Sequence, residues 1–165
     1  LVVTHRPPTV LLGSTPSTEA PVPVREASTS WQGDLQTGSG IVTLESSSAG
    51  QFPVTFPRRA GEPEGQTSPE ELVAAAHSAC FAMSLSNGLS KGGTPPTSLS
   101  VSAEVTLDAP TLTITTIALT VDGVVPGVSQ EAFAEAARAA KEGCIISRAL
   151  AGVPEITVEA TLLEG

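Results

Sequence analysis

The chain has 165 residues, enough for one domain with a sizeable core, and 40% hydrophobic against 15% charged residues marks it as globular. A formal net charge of −9 argues against nucleic acid as a partner, because a basic footprint supplies most of that affinity. Tyr is absent, so Val, Leu, Ile and Ala must build the core, and two Cys are too few to frame a secreted disulfide scaffold.

No apolar run approaches the roughly 20 residues of a membrane span. Val10 to Gly13 is too short for the apolar region of a signal peptide. A cytoplasmic enzyme that uses no membrane is the expectation. Residues 1–28 hold five Pro with scattered Ser and Thr, cannot bury a face, and are expected to be mobile or loosely attached. The domain proper is expected over 29–165.

From Thr29 the pattern changes. Ser30 to Leu35, Gly40 to Glu45 and Phe52 to Phe56 read as short strands, with Pro53 marking the third as an edge strand. A loop from Pro57 to Thr67 carries Arg58 and Arg59 into a long helix. That helix has strong start signals: Ser68 as N-cap, Pro69 at the first helical position, then Glu70 and Glu71 at the positive end of the dipole. At about 100° per residue, Leu72, Val73, Ala76, Cys80 and Met83 form one apolar stripe. Gly88 or Gly92-Gly93 should end it.

Leu99 to Leu107 alternates apolar and polar residues and reads as a half-buried strand. Leu112 to Val121 is its expected hairpin partner, and Gly123 to Gly127 a loop. Ser129 caps a second helix, Gln130 to Lys141, with Phe133 inward and Gly143 as a left-handed stop. A short helix from Cys144 to Leu150 and a strand from Ile156 to Leu163 complete the chain. Strands, helix, strands, helix, strand is an α+β order, and no GxGxxG or GxxxxGK phosphate cradle is present.

A lone Cys on an apolar helix stripe is more often a small core residue than a nucleophile. Cys144, however, follows Gly143 at a helix start, where backbone N–H groups favour a thiolate. Two Cys, each on a helix and each followed by a nearby Ser, make a candidate redox pair; core filler stays open as the other reading. His77 lies one turn before Cys80, within reach of a hydrogen bond to it, and is read as a packed structural residue. His77, Cys80 and Cys144 are too few soft ligands for a metal, so neither metal nor cofactor is expected.

The segment PEELVAAAHSACFAMSLS resembles the first cysteine motif of the osmotically inducible protein C (OsmC) family, relatives of the organic hydroperoxide resistance (Ohr) proteins. AARAAKEGCIISRAL resembles the second. The resemblance runs from about Trp31 to Leu163. AAAH, where Ohr proteins tend to have AAGY, and the absence of Arg from the TGSG turn favour the OsmC branch.

The resemblance implies antiparallel sheets packed on a central buried helix, in an intertwined homodimer with active sites at the subunit interface. It implies a hydroperoxide peroxidase preferring organic hydroperoxides, with Cys80 as the attacking thiol and Cys144 as the resolving thiol. It matches the family Glu to Glu70 and the family Arg to Arg59, with Arg58 the alternative. An external dithiol, of lipoyl type among others, would reopen the Cys80–Cys144 disulfide. Ile145 stands where the family often has Pro. Arg59 and Glu70 enter at the helix start, and Glu70 lies roughly 15 Å along the axis from Cys80, so a site shared between two chains is expected. The alternative function is a non-catalytic domain that senses oxidation or binds an apolar small molecule.

Overall fold

The computed structural model describes residues 22–164. Most of the stretch expected to be loose lies outside them. Residues 22–27 run exposed, without regular structure, into the first strand.

Strands β1 (Ser28–Gln32), β2 (Ser39–Thr43) and β3 (Gln51–Val54) form an antiparallel sheet in that order, so Pro53 does sit in an edge strand. Asp34 shapes the first turn: its Oδ1 accepts from the N–H groups of Gln36 (2.7 Å) and Thr37 (2.9 Å). The segment after β3 was expected to be a loop, but Phe56–Ala60 is a helical turn, α1. Pro57 presets its first turn, and the Arg59 N–H closes it on the Thr55 carbonyl at 3.1 Å.

Helix α2 (Pro69–Lys91) begins as its sequence demands. Ser68 Oγ accepts from the Glu71 N–H at 3.1 Å, and Pro69 occupies the first turn. The helix passes through Gly88 and stops at Gly92, with Gly93 at φ +82° beyond it. Its buried face is His77, Phe81, Leu85 and Leu89, not the stripe expected. Phe81 and Leu85 have no exposed surface, whereas Met83 is 67% exposed. By length and composition α2 would suffice to cross a bilayer, which corrects the expectation that no run approaches that length. Here it lays its buried face against β4, α3 and α4.

The second sheet has the order β4 (Ser98–Asp108), β5 (Thr113–Val124), β6 (Glu155–Leu162). Strands β4 and β5 form the expected antiparallel hairpin, and Ile117, Leu119 and Val121 of the central strand are buried. Gly123 belongs to β5 rather than to a loop; a Cβ there would stand 2.4 Å from Phe133 Cζ, so only glycine lets the ring pack so closely on the strand. Strand β6 runs parallel to β5, so this sheet is mixed rather than antiparallel. The reason is the connection: a parallel partner requires a long crossover, and helices α3 (Gln130–Gly143) and α4 (Ile145–Ala149) supply it. Gly143 stays inside α3 and takes no left-handed angle; the break falls at Cys144, extended at φ −67°, ψ 124°. Phe133, Ala137 and Ala140 face the core formed with α2 and the second sheet.

Candidate active site

The loop-to-helix entry places Arg59 against Glu70. Arg59 Nε donates to Glu70 Oε1 (3.0 Å) and Oε2 (3.1 Å), and Nη2 donates to Oε1 at 2.6 Å. Glu70 is 7% exposed. Burial alone would raise its pKa, but the hydrogen bonds and charge of Arg59 bring it below the ordinary carboxylate value. Hydrogen bonding to Glu70 raises that of Arg59 in turn. Arg58 points elsewhere, pairing with Glu64 at 2.5 Å and donating to the Glu62 carbonyl. Of the two arginines, Arg59 is the one joined to Glu70.

Cys80 and Cys144 are both free thiols. Cys80 is partly buried on α2, and Cys144 is 1% exposed at the start of α4. No cap hydrogen bond closes on the Cys144 side chain. Burial works to raise its pKa, and hydrogen bonding to Ser147, Cys80 and Ile146 outweighs it, bringing the thiol below its ordinary value. Cys80 packs against the buried cluster that contains Cys144. Among the described residues no cluster of three or more His, Cys, Asp or Glu could hold a metal.

The structure gives two pairs: Arg59 hydrogen-bonded to Glu70, and Cys80 packed against the buried cluster that contains Cys144. It does not join the pairs: no hydrogen bond or ion pair links Arg59 to Cys80 within the chain, and α2 separates Glu70 from Cys80 by roughly 15 Å of axis. Beside Arg59 opens an apolar cavity of about 360 Å³ lined by Trp31, Leu35, Val42, Val54, Phe56 and Leu72. Cys80 does not line it.

His77 does not bond Cys80. It is fully buried, and its Nε2 lies 2.7 Å from Ser147 Oγ. Burial lowers its pKa below 6.5 and keeps the ring neutral. Ser147 was not singled out in the sequence; a Ser three residues after the second Cys was the available signal.

A profile of the OsmC-like protein family matches residues 61–159. Glu70, Cys80 and Cys144 fall inside that span and Arg59 just before it. The chain is 42% identical over 131 residues to the peroxiredoxin OsmC of Escherichia coli strain K12, covering 78% of this chain and 90% of that protein. The same figures hold for the peroxiredoxin OsmC of Shigella flexneri. Among solved structures, the fold matches an organic hydroperoxide resistance protein OsmC from Legionella pneumophila with TM-score 0.64 and 22% identity, over 87% of this chain and 98% of that one. It matches an OsmC-like protein from Vibrio cholerae with TM-score 0.65 and 17% identity, over 84% and 99%. These structures speak to the fold alone; by the profile and the 42% identical relatives, the chain belongs to the OsmC family.

Proposed function

We propose that the protein is a thiol peroxidase that reduces organic hydroperoxides to alcohols, and hydrogen peroxide less well. The observation that carries the reading is a partly buried free Cys80 packed against the buried cluster that contains the free Cys144. The 42% identity to proteins named peroxiredoxin supports it. Cys80 is the thiol that peroxide can reach; Cys144, shielded from peroxide, is suited to attack its neighbour instead.

In this reading the Cys80 thiolate attacks the distal peroxide oxygen. The O–O bond breaks, the alcohol leaves after taking a proton, and Cys80 becomes a sulfenic acid. Cys144 attacks the Cys80 sulfur, the S–O bond breaks, and water leaves as the disulfide forms. An external dithiol reopens it by two exchange steps. Arg59 stabilises the attacking thiolate and polarises the O–O bond, and Glu70 holds Arg59 in place. Because one chain keeps these pairs apart, a second chain is required: in an antiparallel dimer Arg59, Glu70 and the apolar cavity of one subunit meet Cys80 of the other. The exposed apolar side chains of α2 and of the first sheet, among them Met83 and Ile41, support such a partner.

Steady-state peroxide consumption with a dithiol tests the reading. Cys80→Ser is expected to abolish turnover, and Cys144→Ser to allow one oxidation and then stall. Cumene hydroperoxide should react faster than hydrogen peroxide, since each buried methylene is worth up to about 0.8 kcal/mol. Full activity in Cys80→Ser would refute Cys80 as the attacking thiol. Oxidation once per molecule, without turnover under dithiol, would make the wild-type protein a sensor instead.

A further inference from the structure

Helix α2 is tied to α3 and α4 by two side-chain hydrogen bonds to which the peroxide chemistry gives no role. His77 Nε2 lies 2.7 Å from Ser147 Oγ, and Ser84 Oγ donates to the Ala140 carbonyl at 3.0 Å. Neither is needed to fill the core. His77 is fully buried with its other nitrogen, Nδ1, unpartnered, a cost that an apolar side chain would not incur. Helix α4 has five residues and no side-chain cap at its start, too short to hold its place alone, and its buried residue is Ser147.

The two bonds bracket the cysteines. His77 lies three residues before Cys80 and Ser147 three after Cys144; Ser84 lies four after Cys80 and Ala140 four before Cys144. Along α2 the order is His77, Cys80, Ser84, and the partners run in the opposite sense, Ser147, Cys144, Ala140. Residues three and four apart share a helix face, so Cys80 stands on the side of α2 that reaches across. Two antiparallel segments joined on both sides at equal intervals set their middle members opposite each other, and those members are the two thiols. A Cβ on Gly143 would lie 3.6 Å from Ser84 Oγ, so the serine stands beside the residue that precedes Cys144.

We propose that these two hydrogen bonds are a register clamp, holding the end of α3 and the start of α4 on α2 so that Cys144 is presented to Cys80. His77, Ser84 and Ser147 are positioning residues of the disulfide-forming step. The inference rests on the peroxidase reading above. In that step the Cys144 sulfur attacks the Cys80 sulfenic acid, the S–S bond forms and the S–O bond breaks. The Cys144 thiol proton leaves with the hydroxide as water. The clamp acts through proximity, where a misplacement of about 1 Å can cost on the order of a hundredfold in rate.

Two measurements on the full chain test this. In the first, the protein is equilibrated with reduced and oxidised glutathione, without peroxide. One Cys attacks glutathione disulfide and releases one glutathione; the other Cys attacks the mixed disulfide and releases the second. The glutathione ratio at half oxidation gives the effective concentration of one thiol at the other. Ser147→Ala and Ser84→Ala should each lower it by about tenfold. Val121→Ala, which also removes buried contacts in the core, should leave it unchanged. In the second, one equivalent of cumene hydroperoxide is added, and sulfenic acid and disulfide are quantified by mass at successive quench times. Both serine variants should slow disulfide formation by a similar factor and leave sulfenic acid formation as in wild type. Should Ser147→Ala fail to fold, Ser84→Ala, at a partly buried site, carries the test. Wild-type effective concentrations in the serine variants, or an equal loss in Val121→Ala, would overturn the clamp. If the serine variants lower the effective concentration but wild type forms no sulfenic acid with hydroperoxide, the peroxidase reading fails and the clamp stands.

Discussion

Glu70 and His77 are two buried titratable residues of α2, and the fold treats them in opposite ways. Glu70 keeps its charge because Arg59 outweighs burial; His77 keeps none, because burial acts on it alone. Both folded pKa values are depressed, so the unfolded chain binds more protons as pH falls and stability is lost in that direction. The His77 contribution is intact above pH 6.5 and declines below it; the Glu70 contribution is intact above pH 4.5 and declines below that. Urea unfolding across this range should show both losses, with His77→Gln flattening the upper one and Glu70→Gln the lower. A His77→Gln curve parallel to wild type would contradict the assignment. The Glu70 position at the helix start was legible in the sequence because the cap marks it, and Cys80 was singled out there by motif resemblance. Ser147 was not, since only the packing of α4 on α2 brings it to His77.

Elements were legible where local signals agree and ambiguous where they do not. The caps of α2 and α3 were correct to the residue, because Ser68 and Ser129 each accept from the N–H three residues on. The face of α2 was misassigned because Ala and Ser dilute its apolar period, and two stripes compete. His77, Phe81, Leu85 and Leu89 face the core; Met83 is exposed, and Cys80 packs only at the core's edge. The parallel placement of β6 depends on how α3 and α4 cross over, which strand alternation does not encode. Helix α4 offers its own test. Cys144 at φ −67°, ψ 124° has the backbone that a following proline requires, and Ile145, 71% exposed, opens the helix. Ile145→Pro should therefore be accommodated and raise stability by about 0.4–1 kcal/mol through the unfolded state. A loss of stability, read from denaturant midpoints, would mean that α4 does not start as described.

At the scale of the molecule, one chain holds the parts of the proposed site at two separate places. The family and the α+β fold were readable from the two cysteine motifs and the order of elements. The separation of Arg59 from Cys80 followed from helix length, and the structure keeps them apart. If the site is shared, refolding Cys80→Ser together with Arg59→Ala should restore activity, because mixed dimers contain one site with both residues intact. Mixed dimers that form by mass yet stay inactive would place the site within one chain. The most direct test of the central claim is the intact mass of reduced protein after one equivalent of cumene hydroperoxide. Wild type should lose two hydrogens, Cys144→Ser should gain one oxygen, and Cys80→Ser should not change. A Cys80→Ser protein that gains oxygen at Cys144 as fast as wild type forms its disulfide would contradict that claim.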